Sequence, residues 1–279
     1  DLHKGVSSAA SDVYKRQQKD GAGSNAAVTA QTISAVIITK NADRTLEACL
    51  DALNWTSEII ILDSGSNDQT LQIAQKKGAK FHTGEWCGFG PQKNLAIGLA
   101  QSDWILSIDS DEFVSEELAS EILRITSIST AEDVYELSRL SKYCGKQMRH
   151  SGWFPDFVPR LFRNGAARFS DSLVHERLMY EGQSKRLAGY LFHDSFHSPE
   201  DVLDKMNRYS TLGAQQLASK GRRGGVLRAV IHGLGAFLKT YIIKAGFLDG
   251  SEGLFLAVSN AEGAYYKYVK LYYLNKLKR

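Results

Sequence analysis

Two aspartates and a glutamate follow a short apolar run near the middle of the chain. Residues 104–108 are apolar at four of five positions, and Asp109, Asp111 and Glu112 follow directly. Carboxylates this close repel one another and lose solvation in a core, so they belong at a strand end. Their oxygens suit Mg²⁺ or Mn²⁺, which can in turn hold a diphosphate. The alternative is a solvated acidic turn, because Asp-x-Asp is a short pattern.

Two earlier predicted strands also end in polar residues. Thr39 and Asn41 end the first, and Asp63 and Ser64 end the second. The carboxyl ends of neighbouring parallel strands form the crevice in which open α/β sheets bind ligands. We therefore expect these side chains and Asp109 to line one crevice, where Asp63 could accept from a ribose hydroxyl or a base N–H.

Lys93 follows a glycine-rich loop, residues 84–90, and lies near the start of a predicted helix. It could pair with phosphate, or it could be a solvated lysine on a helix face. The segment from Gly88 to Lys93 is not a dinucleotide fingerprint, because it has lysine where the third glycine belongs and does not follow the first strand. A P-loop is absent, and residues 39–43 lack the glycines of nucleotidylyltransferases. The pattern thus disfavours dehydrogenases, P-loop enzymes and nucleotidylyltransferases.

The elements that position these residues alternate between strand and helix. A β-branched run at residues 33–39 predicts a buried parallel strand. Three more strands follow, each preceded by a predicted helix, and the last of them ends at Ile108. This pattern predicts an α/β fold with right-handed crossovers, a doubly wound, mostly parallel sheet. The predicted helix starts are a cap at Asn41 or Asp43, a cap at Asp68, Pro91 at the first helical position, and a cap at Ser198.

Composition narrows the class of protein. The chain has 279 residues and a net charge of +3, which does not indicate a nucleic-acid binder. The cysteines, Cys49, Cys87 and Cys144, are far apart and form no CxxC pair. They favour a reducing compartment and argue against a structural zinc site. Residues 1–31 are predicted to be a disordered leader, part of it foreign to the native protein, because residues 7–17 resemble a translated sequencing adapter.

Together these motifs carry a resemblance to a known family. The segments ending the first, second and fourth strands, with Gly90-Pro-Gln-Lys-Asn94, resemble the inverting family 2 glycosyltransferases of GT-A fold. Later segments extend the resemblance to bacterial lipopolysaccharide or lipooligosaccharide core β-1,4-glucosyltransferases, and they lie at residues 152–156, 159–163, 174–176 and 247–250. The resemblance implies a UDP-sugar donor, UDP-glucose, and a divalent metal. It implies that Asp63 contacts the nucleoside, Asp109 the ribose region and Asp111 the metal.

The resemblance also bears on later residues. An inverting transfer needs one base for the acceptor hydroxyl, and Glu176 is the first candidate and Asp156 the second. A surface carboxylate paired with Arg177 or Arg160 is the alternative for Glu176. GT-A enzymes commonly complete the metal or diphosphate site with a late histidine, and His193, expected on a loop, is our choice over a structural histidine. Trp153, in a predicted aromatic loop, is either a sugar contact or a core residue.

The C-terminal part differs in composition. Residues 205–248 contain eight Lys or Arg and no Asp or Glu, and apolar residues recur at helical spacing from Leu227 to Ala245. No uncharged apolar run of 18 residues occurs there, so a basic amphipathic helix on an anionic membrane surface is expected. A helix packed on the catalytic domain with a solvated basic face is the alternative.

The sequence therefore predicts a nucleotide-binding half at residues 32–112, an acceptor half at 113–202 and helical, membrane-associating residues at 203–279. The expected enzyme is cytoplasmic and peripheral on the inner face of the bacterial inner membrane. It moves glucose from UDP-glucose to a lipid-anchored saccharide, an inner-core heptose. Two alternatives stay open: another family 2 transfer with a different sugar or a polyprenyl-phosphate acceptor, and a non-catalytic sugar-nucleotide-binding protein.

Overall fold

A computed structural model describes residues 31–128, 132–171 and 176–277. Residues 1–30 of the predicted leader and the motif residues Val174 and His175 lie outside these ranges. From Gln31 onward the chain forms one unit. The first half contains β1 (Ile33–Thr39), α1 (Asp43–Asp51), β2 (Glu58–Asp63), α2 (Thr70–Lys76), β3 (Lys80–Thr83), α3 (Phe89–Ile97), β4 (Trp104–Asp109), β5 (Glu112–Val114) and α4 (Glu116–Thr126).

The second half contains more strands and then long helices. Its strands are β6 (Val134–Tyr143), β7 (Lys146–Gln147), β8 (Asp156–Arg163), β9 (Ala167–Phe169), β10 (Leu178–Tyr180) and β11 (Lys185–Phe196). Its helices are α5 (Pro199–Ser219), α6 (Val226–Leu238) and α7 (Gly250–Leu277), with a π-helical turn at Lys239–Ile243 and a 3₁₀ turn at Gly246–Asp249 between the last two.

One mixed sheet carries the fold, in the order β3-β2-β1-β4-β8-β6-β11-β5. The strands β3, β2, β1 and β4 run parallel, so their carboxyl ends meet at one edge as predicted. The strand β8 pairs antiparallel with both β4 and β6, and joins the two halves of the sheet. Residues of the second half of the chain are thereby placed beside the end of β4.

Helices cover both faces of the sheet, because β1 is apolar on both faces. Ile37 packs with Leu46 and Leu50 of α1 and with residues of α4, while Val36 packs with Ala96 of α3 on the opposite face. Burial on both faces accounts for the near-continuous apolar sequence of β1.

Several predicted boundaries were wrong. Neither Asn41 nor Asp43 caps α1, whose N-cap is Ala42; its N–H donates to the Thr70 hydroxyl instead. Helix α3 begins at Phe89, two residues before Pro91. Asp68 accepts from the N–H of Thr70 but lies one residue before the N-cap of α2. By contrast, Ser198 caps α5 as predicted, accepting from the N–H of Asp201.

The strand β11 is longer than the sequence pattern indicated. It continues through Phe196, so His193 lies in a strand and not on a loop that enters a helix. The pairing of β11 with β6 and β5 explains the extension, since His193 stands opposite Ser141 on one side and Glu112 on the other. Sheet pairing thus holds His193 more rigidly than a loop would.

Helix α6 buries small residues and exposes large apolar ones, whereas an amphipathic helix of a globular protein usually buries its large apolar residues. Its buried residues are small, Ala229 and Gly233, and Gly233 lies against Ala261 and Tyr265 of α7. His232 also faces α7 and stacks on Tyr268 at 4.1 Å between ring centroids. Most of the large apolar residues of α6 are exposed instead, and these are Val226, Leu227, Val230, Ile231, Leu234 and Leu238; Ile242 in the following π-helical turn is exposed as well.

The segment Val226–Ile243 has the length and composition that would allow a helix to cross a membrane, although only 17% of it is buried in the structure. It includes Arg228 and Lys239, so the uncharged run is shorter than 18 residues, as the sequence indicated. Most large exposed apolar side chains of this segment lie away from α7, an arrangement that also suits a helix lying on a surface.

Candidate active site

The predicted crevice residues end three adjacent strands. Thr39 stands beside Asp63 in the β1–β2 pairing, and Ile38 stands beside Asp109 in the β1–β4 pairing. The structure thus brings Thr39, Asp63 and Asp109 to one edge of the sheet. Ser64 follows within hydrogen-bond reach of the same edge, donating its N–H to the Thr39 carbonyl at 3.0 Å.

Asp63 organises the loop after β2. Its Oδ1 accepts from the backbone N–H groups of Gly65 and Ser66 at 2.9 and 2.8 Å. Its Oδ2 accepts from the hydroxyls of Thr39 and Ser66 at 2.8 and 2.5 Å. The carboxylate is only 2% exposed, so these four donors hold it within the loop. Its predicted contact with a nucleoside remains a prediction.

Asn41 and Ser64 have related roles in this loop. The backbone N–H of Asn41 donates to the Ser66 hydroxyl at 2.7 Å, and its side-chain oxygen accepts from Asn67 at 3.0 Å. The hydroxyl of Ser64 accepts from the Gln92 amide at 3.2 Å. Asn41 has a positive φ of 52°, a region in which asparagine is enriched.

A continuous chain of alternating charges crosses the site. Lys93 Nζ lies 2.9 Å from Asp109 and 3.2 Å from Glu176. Arg160 pairs with Asp109 and lies 2.8 Å from Glu112. This charge chain consists of four carboxylates and three cations and runs in the order Glu176, Lys93, Asp109, Arg160, Glu112, Arg139, Asp156.

Lys93 is therefore not a solvated helix-face lysine. Its side chain is 4% exposed, and its ammonium also lies 5.1 Å from the centroid of the Phe169 ring. A buried ammonium needs partners, and Asp109 and Glu176 supply them. Sequence reasoning left open whether Lys93 meets phosphate. In the structure it holds two carboxylates that come from opposite halves of the chain.

The charge chain perturbs the pKa of its central members. Burial opposes ionisation of Asp109, but Arg160 and Lys93 outweigh it and hold the pKa of Asp109 well below its usual range. Burial likewise disfavours the charged form of Arg160, yet Asp109 and Glu112 raise its pKa further. Asp109 is thus a permanent anion at neutral pH. The Nε of Arg160 is buried and has no hydrogen-bond partner among the described residues, which leaves a donor for a ligand or water.

Asp111 points away from this chain and toward His193. Its Oδ2 lies 3.5 Å from the Nε2 of His193. The Nδ1 of His193 lies 3.0 Å from the Ser141 hydroxyl, so the ring is held with Nε2 facing the carboxylate. A histidine oriented through one nitrogen, with the other directed at a carboxylate, is typical of a metal ligand with its supporting contact.

Asp111 also lines a cavity of about 370 Å³. Asn41 lines the same cavity. Its other charged lining residues are of both signs, the cations Lys40, Arg44, Lys205 and Arg208 and the carboxylates Asp194, Asp201 and Asp204. Lys93 and Asp109 are not among its lining residues. Asp111 and Asp109 therefore face different parts of the site, although they are only two residues apart. No group of three or more His, Cys, Asp or Glu that could hold a metal occurs in the part of the chain the structure describes.

The motif Gly90–Asn94 ties the two halves together. A Cβ at Gly90 would lie 1.9 Å from the carbonyl oxygen of Ser170, so only glycine allows this approach. The Asn94 amide donates to the Phe169 carbonyl and accepts from the Phe169 N–H, both at 2.8 Å. Lys93 then reaches Glu176. The conformation of this motif therefore decides where Glu176 lies.

The two candidate bases stand at opposite ends of the charge chain. Glu176 pairs with Lys93 and not with Arg160 or Arg177, the partners considered for a surface role. Asp156 pairs with Arg139 at 2.8 Å and is more exposed. Sequence reasoning missed Glu112, Arg139 and Arg160 as members of the site. Glu112 directly follows the Asp109–Asp111 motif, and Arg160 lies in the segment at 159–163. Neither residue has neighbours in the sequence that indicate that its side chain is buried.

Known proteins resemble this chain over most of its length. The family model "Glycosyl transferase family 2" matches residues 34–169. A glycosyltransferase of Rickettsia conorii, named as uncharacterized, is 31% identical and covers 86% of this chain and 90% of its own. The chain belongs to glycosyltransferase family 2. The predicted family and GT-A fold are thus confirmed. The matched range includes every strand-end residue, whereas Glu176 and His193 lie beyond it.

A further relative of this family 2 glycosyltransferase is the lipopolysaccharide core biosynthesis glycosyltransferase LpsC of Rhizobium meliloti. It is 28% identical and covers 88% of this chain and 94% of its own. Among solved structures, S. aureus TarS 1-349 in complex with UDP has a TM-score of 0.45 and 15% identity, covering 89% of this chain and 92% of its own. Glucosyl-3-phosphoglycerate synthase from Mycobacterium tuberculosis with Mn²⁺ and UDP has a TM-score of 0.33 and 23% identity, covering 40% and 44%.

Proposed function

We propose that this glycosyltransferase is a metal-dependent, inverting enzyme that moves glucose from UDP-glucose to a lipid-anchored saccharide, an inner-core heptose of lipopolysaccharide or lipooligosaccharide. The observation that carries the proposal is the contact between Asp111, which lines the cavity of about 370 Å³, and His193, which sheet pairing holds in place. The name of the relative LpsC supports the class of acceptor. Asp63 and Asn41, which we assign to nucleotide binding, stand at or just beyond the ends of the neighbouring strands β2 and β1.

The residues present fit a divalent cation. Mg²⁺ and Mn²⁺ are commonly held by one or two protein oxygens together with substrate phosphates, so a large protein cage is not required. Asp111 supplies a hard oxygen and His193 a borderline nitrogen, a pair better suited to Mn²⁺ than to Ca²⁺. Asp111 and His193 would hold the ion, which would neutralise the departing diphosphate when bound.

The rest of the transfer depends on the chain's own side chains. The acceptor hydroxyl oxygen attacks the anomeric carbon, the bond from that carbon to the diphosphate oxygen breaks, and a carboxylate takes the hydroxyl proton. We assign the base to Glu176, with Asp156 second. Lys93 positions Glu176 through their 3.2 Å contact and joins it to the ionised Asp109 beside the donor strands.

The exposed apolar face of α6 supports a peripheral location on the cytoplasmic face of the inner membrane. Arg222, Arg223 and Arg228 flank this face, so electrostatic attraction and apolar insertion act on the same surface. Such placement brings the enzyme to an acceptor that is anchored in lipid. The same face would serve a polyprenyl-phosphate acceptor, which the experiment below distinguishes.

A donor screen tests the proposal. Purified protein is incubated with each of several nucleotide sugars, Mn²⁺ and heptose-terminated lipopolysaccharide, and UDP release is measured. We expect release with UDP-glucose and a product heavier by one hexose, in β configuration by NMR. Release only with another donor, or transfer only to a polyprenyl phosphate, would contradict the donor or acceptor assignment. Binding of UDP-glucose without turnover on any acceptor would point to the non-catalytic alternative.

A further inference from the structure

A second, larger cavity lies between the C-terminal helices and the sheet domain. Its volume is about 640 Å³, and α5, α6, α7, the turn between α6 and α7, and the loop at residues 151–153 all contribute to its wall. No Asp or Glu is among its lining residues. Four lysines line it, and they are Lys205, Lys239, Lys244 and Lys267.

These four lysines have no carboxylate partner within the part of the chain that the structure describes. Lys205 Nζ donates to the Ser195 carbonyl at 3.1 Å, and Lys267 lies 5.6 Å from the centroid of the Tyr268 ring. Two other lysines nearby behave differently. Lys146 is paired with Glu252 at 3.0 Å, and Lys270 donates to four oxygens of α5. Like charges around one cavity repel, so an anionic ligand would stabilise this arrangement.

The wall facing the sheet is aromatic. Trp153 stacks on Phe196 with ring centroids 5.9 Å apart, and both line the cavity together with Tyr209. Trp153 also packs against Tyr143, so it is at once a core residue and part of the cavity wall. Aromatic faces suit the apolar C–H faces of sugars, while ammonium groups suit phosphate. The cavity combines both kinds of contact.

The position of this cavity connects two surfaces. Lys205 lines it and also lines the cavity that contains Asp111. Lys239 begins the turn that follows α6 and Lys244 comes directly after that turn, and most large apolar side chains of α6 are exposed. A ligand anchored at that exposed face could therefore place an anionic group among the lysines and extend a sugar toward Asp111.

We propose that this cavity binds a phosphate ester carried by the lipid-anchored acceptor saccharide. The inference rests on the proposed function, because it assigns the acceptor side of the same site. Lys239, Lys244 and Lys267 bind the phosphate, and the Trp153 wall contacts the adjoining sugar ring. A free phospholipid headgroup carries the same phosphate chemistry, and the experiment separates the two sources.

The test compares K239Q/K244Q/K267Q with wild type on a soluble acceptor. Lys205 is left intact because it also lines the Asp111 cavity. The acceptor is deacylated core oligosaccharide, used with its phosphates and after phosphatase treatment. We expect the triple variant to raise the KM for the phosphorylated acceptor about tenfold, and to leave the KM for UDP-glucose and for the dephosphorylated acceptor unchanged. Wild type alone should show about a tenfold lower KM for the phosphorylated form.

A matched control removes three lysines elsewhere. In K76Q/K77Q/K185Q the lysines lost are those of surface ion pairs, which contribute little to stability. We expect wild-type KM values for this control. Thermal melting establishes that both triple variants fold, and single K239Q and K267Q variants replace the triple variant if it does not.

The outcomes separate this inference from the proposed function. If wild type transfers no sugar to any acceptor, the proposed function fails; titration of the phosphorylated oligosaccharide into UDP-saturated protein then decides the cavity assignment by itself. The phosphate site is wrong if wild type is active but has the same KM for the phosphorylated and the dephosphorylated acceptor. It is also wrong if the triple variant raises the KM for both acceptors equally. If the triple variant loses only binding to phosphatidylglycerol vesicles, the headgroup and not the acceptor is the ligand.

Discussion

At the scale of single residues, the site separates two kinds of carboxylate. Asp109 is locked between Lys93 and Arg160 and is part of the framework, whereas Asp111 faces His193 and a cavity. Two aspartates with one residue between them thus differ because side chains on a strand and its following turn point in different directions. The first two predictions test these roles.

We predict that D111A lowers kcat by at least about 10²-fold, since a metal contributes several kcal/mol to stabilising developing charge. The fold should persist because the Asp111 side chain is 34% exposed and contacts only His193 among the charged residues that the structure describes, while the backbone hydrogen bond from Asp194 to the Asp111 carbonyl is kept in D111A. Turnover with Mn²⁺ and the melting temperature are the measurements. D51N, at an exposed carboxylate on α1, is the control. Near-normal turnover in D111A, or full wild-type activity in chelator, would disprove the metal assignment.

We predict that E176Q lowers kcat by roughly 10²–10⁴-fold and leaves UDP binding intact, because the amide cannot accept the acceptor proton. D156N serves as the parallel variant, since Asp156 ends the same charge chain on its other side. Single-turnover kinetics and calorimetric UDP titration separate chemistry from binding. If E176Q keeps nearly full activity while D156N is inactive, then Asp156 and not Glu176 is the base.

At the scale of elements, helix α3 and the strand β9 act as one joint. Gly90 permits contact with the backbone at Ser170, and Asn94 holds Phe169 through paired hydrogen bonds. Lys93, on the same helix, then reaches Glu176. The position of helix α3 therefore helps to determine the position of the candidate base Glu176.

We predict that G90A destabilises the fold by about 1–3 kcal/mol and lowers kcat, because its Cβ would overlap the Ser170 carbonyl and move the backbone that leads to Glu176. G98A is the matched control at the end of the same helix, where a Cβ meets only ordinary contacts from 3.4 Å. Urea denaturation and steady-state kinetics measure both effects. Equal behaviour of the two variants would show that the joint is not needed.

A second element-scale prediction concerns Glu58 at the start of β2. Burial raises its pKa, but contacts with Lys80, the Ser34 hydroxyl and the Gln101 N–H lower the pKa from 4.5 to about 2. A carboxylate whose pKa is lower in the folded than in the unfolded state stabilises the fold. This stabilisation is complete at pH values above the unfolded-state pKa and is lost as the pH falls through the folded-state pKa. E58Q should therefore cost about 1.5–3 kcal/mol at pH 7.

The difference in unfolding free energy between wild type and E58Q should narrow as the pH falls from about 5 toward 2. Urea denaturation at several pH values measures it. A difference that stays constant over this range would mean that the carboxylate charge contributes nothing, and that any loss in E58Q comes from packing.

At the scale of the whole molecule, the C-terminal helices are anchored to the sheet domain through Asp249. Its carboxylate is 4% exposed and accepts from the N–H groups of Arg149 and His150 and from the Ser151 hydroxyl. This contact fixes the turn after α6 against the loop that carries Trp153. The exposed apolar face of α6 therefore has a defined orientation relative to the cavities.

We predict that the protein co-sediments with anionic vesicles, less at high salt and much less with neutral vesicles. Each basic residue at such a surface contributes on the order of 1 kcal/mol, and the effect decays within a Debye length. R222E/R223E/R228E should lower vesicle binding and transfer to the lipid acceptor, while activity on a soluble, delipidated acceptor survives. Salt-insensitive binding to neutral vesicles, or equal loss of both activities, would favour a purely structural helix.

The apolar contribution has its own variants. L227S/L234S should weaken vesicle binding because Leu227 and Leu234 are 73% and 61% exposed on α6. Leu95, which is 56% exposed on α3, offers the matched control L95S, for which binding should not change. Equal binding by all three proteins would exclude the α6 face as the membrane contact.

The sequence by itself determined the parts of this protein that depend on local pattern. The apolar period of β1, the polar strand ends at Asp63 and Asp109, and the Ser198 cap all follow from residues close together in the chain. The motifs also sufficed to indicate the family, and the family 2 model matches residues 34–169, which contain the motifs at the strand ends. Local sequence thus sufficed for the fold class and for one edge of the site.

Only the tertiary structure decided which charged residues meet. Lys93 and Glu176 are 83 positions apart, and Arg160 and Glu112 are 48 apart, so no local period connects either pair. The same holds for His193, which the pairing of β11 with β6 and β5 keeps in a strand. Burial turns such distant charges into partners, because an ionised group removed from water is stable only beside its opposite.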